Sequence, residues 1–136
     1  MSTAFRARLS KLLLVAHVLL IAGCSLVPVP ELTAQHRSEI SAAVREAGLP
    51  EPDSLEVNSS GYLVATFEVT PTEMRGSAKT FAEKAVLAIR NSMYPHKVFD
   101  SYRVSVNGPS PGPGLVARFG SARFIEGGSV EWQPAK

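Results

Sequence analysis

The clearest helix signal in the chain lies in residues 70–95, TPTEMRGSAKTFAEKAVLAIRNSMYP. Thr70 is typical of an N-cap, Pro71 of the first helical position and Glu73 of the third position of a capping box. Apolar residues then recur at helical spacing, at Met74, Ala78, Phe81, Ala82, Ala85, Ile89 and Met93. Because Pro95 ends the pattern, we predict one amphipathic helix that packs its apolar side across a sheet.

Strand patterns flank this helix on both sides. Before it, Leu55 and Val57 lead into the turn-forming residues 58–61, and residues 62–69 alternate between apolar and polar positions. After it, we predict strands at residues 99–106, 115–119 and 122–125, and a short last strand around Val130 and Trp132. The side chain of Trp132 is expected to be buried as a lid over the edge or end of the sheet.

A second, shorter helix is predicted at residues 33–47. Thr33 is a suitable N-cap, and Ile40 and Val44 belong to a narrow apolar stripe. Gly48 can adopt the left-handed conformation that ends many helices, and the residues after it, Leu49 and Pro50, favour a stop. The order of elements is therefore α-β-β-α-β-β. It predicts an α+β fold in a single domain, residues 33–136, with a small antiparallel sheet of 4–5 strands and two helices on one face.

The N-terminus carries a targeting pattern. A basic start (Arg6, Arg8 and Lys11) precedes a run at residues 12–21 that is apolar except for His17, and small residues then lead to Cys24, the one cysteine of the chain. The run is too short to span a bilayer as a helix. Residues 1–24 resemble the signal peptide of a bacterial lipoprotein. An ordinary secretory signal with an incidental cysteine, or a short uncleaved anchor, is the alternative.

The resemblance implies an address rather than an activity. Ile21, Ala22 and Gly23 match the signal-peptidase recognition positions, with cleavage before Cys24 and acyl chains such as palmitate on that residue. The expected location is the cell membrane or outer membrane, with a lipid-anchored domain that faces the periplasm or the cell exterior. Residues 24–32 would form the lipidated cysteine and a short tether, which Pro28 and Pro30 favour as extended chain.

Composition narrows the function of the mature chain. Three of the 14 lysines and arginines of the full chain lie before Cys24, so the mature chain has 11 of them and 12 acidic residues. The excess of basic residues in the full-length chain therefore does not indicate a nucleic-acid partner. With Cys24 acylated, no thiol is left for a disulfide, a nucleophile or a cysteine-containing metal site.

A repeated tripeptide and a loop are the candidate contact features. Ala117-Arg118-Phe119 recurs five residues later as Ala122-Arg123-Phe124. A bulge at Gly120-Ser121 would place Arg118 and Arg123 on one outward face, where they could bind an anion, with Arg103 as a further contact. Solvated surface arginines are the alternative. Residues 107–114, rich in proline and glycine, are interpreted as a hairpin connection or a recognition loop.

No catalytic, metal or cofactor constellation is evident from spacing. His36, His96, Asp53 and Asp100 are the candidate residues, but the two histidines are 60 residues apart, and neither a nucleophile elbow nor a phosphate-binding glycine pattern occurs. The sequence favours a non-catalytic binding or assembly domain, anchored by Cys24, that serves an envelope protein partner as an accessory subunit, through sheet edges. A binder of lipid phosphate or peptidoglycan through Arg118 and Arg123 is the alternative hypothesis, and a small hydrolase the third.

Overall fold

The computed structural model describes residues 28–110 and 112–136. Their helices and strands follow in the order α1 (Ala34–Glu46), β1 (Ser54–Val57), β2 (Leu63–Glu68), α2 (Pro71–Met74), α3 (Ala78–Met93), β3 (Ser101–Gly108), β4 (Ala117–Ile125) and β5 (Glu131–Pro134), with a 3₁₀ turn at Tyr94–His96. The chain therefore has the α+β fold predicted from its sequence, with five strands in one sheet.

The long helix forms, but it does not begin where the sequence pattern begins. Thr70 and Glu73 make the predicted capping box, yet the helix that they cap is only the four residues of α2. Arg75 then takes a left-handed conformation (φ 49°), and Gly76 has a φ of 144° that favours glycine. Ser77 starts a new helix, because its side chain accepts a hydrogen bond from the N–H of Thr80. The prediction of one unbroken helix was wrong at this point.

Helix α1 follows its sequence pattern closely. The backbone N–H of His36 donates to Oγ1 of Thr33 at 3.1 Å, as expected of the predicted N-cap. At the other end, Gly48 has a φ of 75°, and the N–H of Leu49 donates to the carbonyl of Val44 at 3.0 Å. Local signals therefore set both ends of this helix.

The sheet is mixed, and the predicted all-antiparallel sheet was wrong for one pair. Strands β2 and β3 run parallel, whereas β1–β2, β3–β4 and β4–β5 are antiparallel. A tight turn between β2 and β3 would have made them antiparallel. Helix α3 instead returns the chain to the end of the sheet where β2 begins, and β3 starts there. A strand that follows such a crossover runs in the same direction as the strand before it.

The core lies on one face of the sheet. Helix α3 buries the side chains of Phe81, Ala82, Ala85, Val86, Ile89 and Met93. They join one apolar cluster with alternate residues of the central strands, among them Phe67, Tyr102, Val104, Val106 and Phe124. Ile40 and Val44 bring α1 into the same cluster, so both long helices cover the same side, as predicted.

The strands in the second half of the chain have bounds that differ from the predicted ones. Strand β3 occupies 101–108 rather than 99–106, so Asn107 and Gly108 pair with β4 instead of belonging to the loop. The two predicted strands at 115–119 and 122–125 are a single strand, β4. Leu115 and Val116 precede it and are exposed. The predicted last strand forms as β5, where Trp132 is partly buried against the core.

One ion pair fixes the end of α3 to the turn between β4 and β5. The guanidinium of Arg90 donates two hydrogen bonds to the carboxylate of Glu126, at 2.7 and 2.9 Å. It also lies over the rings of Tyr94 and Phe124, at 4.3 and 5.2 Å from their centroids. The hydrogen bond from Arg90 lowers the pKa of Glu126.

We predict that Glu126→Gln makes stability less dependent on pH. Because the pKa in the folded chain lies below the ordinary value of 4.5, the carboxylate stabilises the fold above about that pH and loses this contribution as pH falls through its folded pKa. Urea unfolding at pH 7 and at pH 3 should show a difference between wild type and variant that shrinks in acid. Glu46→Gln, a matching change on the exposed side of α1, serves as the control. An equal difference at both pH values would contradict the assignment.

Candidate functional site

The second face of the sheet carries mostly polar side chains, and no helix of the described residues lies over it. We call it the open face. It is formed by the residues that alternate with the core positions, including Val64, Thr66, Arg103, Ser105, Asn107, Ser121, Arg123, Glu131 and Gln133. Hydroxyl, amide and guanidinium groups therefore lie side by side across four strands, where they can bind a polar ligand or a partner surface.

A shallow cavity of about 450 Å³ lies at one end of the open face. Its lining includes Thr66, Ser105, Asn107, Arg118, Ser121 and Gln133. These side chains come from strands β2 to β5, which the sheet aligns at this end. The cavity offers several hydrogen-bond donors and acceptors and one fixed positive charge, a set that suits a polar or anionic group rather than an apolar one.

A bulge in β4 gives the repeated tripeptide its orientation. Val106 pairs with Gly120, but the next residue of β3, Asn107, pairs with Arg118, so Phe119 is the extra residue. The bulge falls one residue before the predicted position at Gly120-Ser121. Arg118 and Arg123 consequently share the open face, and the aromatic rings of Phe119 and Phe124 pack on the core side.

The three predicted contact arginines nevertheless form two separate groups. Arg103 lies directly opposite Arg123, and Arg123 donates to the carboxylate of Glu131 on β5 at 2.5 Å. That hydrogen bond raises the pKa of Arg123 and offsets the repulsion between the two arginines. The Nε atoms of Arg103 and Arg123 are buried without a hydrogen-bond partner. Arg118 lines the cavity instead, and no ion pair to it occurs within the described ranges.

The proline- and glycine-rich loop borders the cavity. Both Asn107 and Arg118, which line the cavity, lie on the strands that the loop connects. Leu115 and Val116 are 59% and 58% exposed at the end of the loop. Two adjacent aliphatic side chains in water beside a polar cavity are typical of a contact surface.

The sheet edges are short and partly protected. Strands β1 and β5 each have four residues, and β5 ends at Pro134. On β1, the guanidinium of Arg37 donates to the carbonyl of Leu55 at 2.8 Å, which occupies one edge acceptor. Short strands, a proline and such a capping group limit the addition of a partner strand. The predicted docking through sheet edges therefore has less support than docking on the open face.

The structure brings together His36, Glu39 and His96, which sequence spacing did not connect. Nε2 of His96 lies at hydrogen-bond distance from the carboxylate of Glu39, and the rings of His36 and His96 meet edge to face with centroids 4.8 Å apart. Nδ1 of His36 accepts from the backbone N–H of Thr33. These contacts join the start of α1 to the end of α3, and His36 is buried as part of the helix cap.

Glu39 in this cluster has a lowered pKa and not a raised one. A general acid in a deep pocket would have a raised pKa, whereas the hydrogen bond from His96 lowers the pKa of Glu39. The other candidates do not join it. The carboxylate of Asp53 accepts from the N–H of Glu68 at 2.6 Å, and the carbonyl of Asp100 accepts from the N–H of Glu126. Both residues therefore accept hydrogen bonds from backbone N–H groups at the ends of strands.

The described residues include no helix that is both long and apolar enough to cross a bilayer. They also contain no group of three or more histidine, cysteine, aspartate or glutamate side chains placed to hold a metal ion. The predicted lipidation site Cys24 and the predicted signal-peptidase positions Ile21, Ala22 and Gly23 lie outside the described part of the chain.

Comparison of the chain with protein-family models, with curated proteins and with solved structures gives no match. The function of this chain is therefore inferred from its N-terminal sequence pattern and from the geometry of the open face.

We predict that Gly120→Ala strongly destabilises the domain. Gly120 has a φ of 150°, and an added Cβ would lie 2.5 Å from the backbone oxygen of Gln133 and 2.6 Å from a ring carbon of Trp132. The backbone strain and the overlap should together lower the free energy of unfolding by roughly 2 kcal/mol or more. Chemical denaturation of the purified domain measures this loss.

Gly112→Ala is the matched control. An added Cβ there would make an ordinary contact of 3.8 Å with Leu115, so its effect should stay within about 1 kcal/mol. Equal stability of the two variants would show that Gly120 is not required for the bulge that sets the orientation of Arg118.

Proposed function

We propose that this chain is a lipid-anchored cell-envelope protein whose single domain is a non-catalytic binding or assembly module. Its partner is an envelope protein, and the contact surface is the cavity end of the open face together with Leu115 and Val116. The module acts as an accessory subunit that holds its partner near the membrane. Cys24, acylated after removal of residues 1–23, supplies the anchor.

The N-terminal sequence supports the anchor. The basic start, the ten-residue apolar run and the residues Ile21-Ala22-Gly23 all precede Cys24 in the order found in bacterial lipoproteins. Two or more acyl chains hold a protein stably at a membrane, because each buried CH₂ contributes about 0.8 kcal/mol. An anchored binding module needs no catalytic group of its own.

One observation supports the choice of the cavity end as the contact surface. The open face is polar and uncovered by any described element, and at its cavity end two exposed aliphatic side chains, Leu115 and Val116, directly precede strand β4. An apolar centre bordered by hydrogen-bonding groups is the usual anatomy of a protein interface. The cavity is shallow and strongly polar, and it therefore suits a protruding side chain of a partner better than an enclosed small molecule.

Photo-crosslinking in intact envelopes tests this proposal. A photoreactive residue replaces Val116 in one variant and Leu87 in a second; Leu87 is a hydrophobic side chain on the outer side of α3 and is 40% exposed. We expect one adduct of defined mass from position 116 and none from position 87. Position 116 lies outside the strands, so folding should be unaffected.

Two readouts complete this experiment. Intact mass of the native protein should equal residues 24–136 plus acyl chains, and Cys24→Ala should carry no acyl chains. Adducts of equal yield from positions 116 and 87, or none from either, would contradict docking at the loop while leaving the anchor standing. An unacylated native protein would contradict the anchor.

A second candidate function is the binding of an anionic envelope ligand, a lipid phosphate or a peptidoglycan carboxylate. The observation in its favour is Arg118, an exposed arginine that lines the cavity beside the hydroxyls of Thr66, Ser105 and Ser121. A guanidinium with neighbouring hydroxyl donors is a common way to hold such an oxyanion. Arg123 is already engaged by Glu131 and is the weaker candidate.

Charge reversal distinguishes this candidate. In a variant that lacks residues 1–23 and carries Cys24→Ala, and so has neither the apolar run nor an acyl chain, Arg118→Glu should weaken sedimentation with peptidoglycan sacculi or with vesicles of anionic phospholipid by roughly tenfold. Lys84→Glu makes the same charge change on the exposed side of α3 and should leave binding unchanged. Equal losses in both variants would indicate nonspecific attraction, and the absence of any binding by the parent would rule out this ligand class.

A further inference from the structure

The residues that follow the signal sequence pack against the domain instead of extending away from it. Leu32 contacts the apolar core, and the ring of Pro30 lies 3.6 Å from the position of a Cβ on Gly61. Pro28 and Val29 line a cavity of about 390 Å³ together with Ser59, Val98 and Asp100. The predicted tether of residues 24–32 is therefore held by the domain from residue 28 onward.

This packing fixes the distance between the domain and its anchor. Three residues, 25–27, separate Cys24 from Pro28. Even a fully extended chain spans no more than about 3.6 Å per residue, so the Cα atoms of Cys24 and Pro28 are at most about 14 Å apart. The headgroup region of one leaflet is only about 5–8 Å deep. The end of the domain beside Pro28 consequently cannot leave the membrane surface.

We call that end the tether pole. It consists of residues 28–30, the turn at residues 58–61, the segment 94–100, and Ile125 with the turn that follows it. The sheet brings these parts together, because Leu63 pairs with Tyr102 and Ser101 pairs with Ile125. The N–H of Glu126 also donates to the carbonyl of Asp100. The loop with Leu115 and Val116 lies at the opposite end of strands β3 and β4.

Exposed apolar side chains concentrate at the tether pole. Among the described residues, seven large hydrophobic side chains are exposed. Four of them are at this pole: Val29, Tyr94, Val98 and Ile125. Two more are Leu115 and Val116 at the opposite end. Lys97, also exposed, adds a positive charge beside Val98. Aliphatic, tyrosine and lysine side chains together are typical of surfaces that rest in the headgroup region.

We propose that the tether pole rests on the bilayer that holds Cys24, with Val29 and Val98 in the headgroup layer. The partner of this surface is the membrane itself. This inference rests on the lipid anchor of the proposed function. Contacts between the tether pole and lipid that would be too weak to recruit a soluble domain are enough to orient this one. The short linker to Cys24 makes them intramolecular once the acyl chains are inserted. Lys97 favours anionic headgroups and Asp100 opposes them, so the apolar contacts and the short tether set the orientation.

The orientation has a consequence for the other end of the molecule. Strand β3 runs from the tether pole to the proline- and glycine-rich loop, and its eight residues span about 23 Å. Leu115, Val116 and the cavity around Arg118 are therefore held away from the bilayer surface, directed into the aqueous compartment. A partner that docks there approaches from that compartment and not from the plane of the same membrane.

Depth measurement on the acylated full-length protein tests this orientation. Once Cys24 is acylated the chain has no other thiol, so a single introduced cysteine can carry an environment-sensitive fluorophore. Val98→Cys and Ser59→Cys report on the tether pole, and Ser59→Cys leaves the apolar side chains intact. Leu115→Cys reports on the opposite end, and Leu87→Cys on the outer side of α3, at 40% exposure against 39% for Val98. The protein is reconstituted in vesicles of zwitterionic and anionic phospholipid with a headgroup-linked nitroxide quencher.

We expect several-fold stronger quenching at positions 98 and 59 than at 87 and 115, and the reverse order with aqueous iodide. Equal quenching at positions 98 and 115 in a protein whose mass shows acylation would overturn the orientation while leaving the anchor intact. Recovery of a chain without acyl groups would overturn both the anchor and the inference. Quenching that is stronger at 115 than at 98 would show that the opposite end faces the bilayer.

Discussion

The packing of α3 across one face of the sheet is the interaction on which the rest of the structure depends. Its buried side chains from Phe81 to Met93 supply the cover for strands β2, β3 and β4. Without a disulfide in the described domain, stability comes mainly from this apolar contact. The helix also returns the chain to the start of the sheet, which makes β2 and β3 parallel.

A one-sided core determines where function can lie. Two long helices are enough to cover one face of a five-stranded sheet, and the other face must then be compatible with water. In this chain it carries hydroxyls, amides and three arginines, and it ends in a cavity beside an exposed aliphatic pair. The proposed binding surface and the proposed membrane contact lie at opposite ends of the strands, so one domain can connect an anchor to a partner.

Local patterns predicted most of the elements correctly, and the errors have identifiable causes. The caps of α1 and the alternation of β2 act through neighbours in sequence, and both were confirmed. The break at Arg75-Gly76 was missed because the capping box at Thr70 and the apolar spacing agreed with one helix. The parallel pairing was missed because strand direction depends on the path of α3 rather than on any single turn. Hydroxyl and amide groups from four strands form the cavity only in the folded sheet.

The sequence by itself determined the targeting pattern, the α+β class and the apolar sides of the helices and strands, because these depend on residue type and periodicity over a few turns. Only the tertiary structure decided the sheet order, the position of the β4 bulge and the grouping of Arg103 with Arg123 apart from Arg118. It also joined His36, Glu39 and His96 and held residues 28–32 against the domain. Contacts between residues distant in the chain depend on how the elements pack, and a local sequence pattern does not specify that packing.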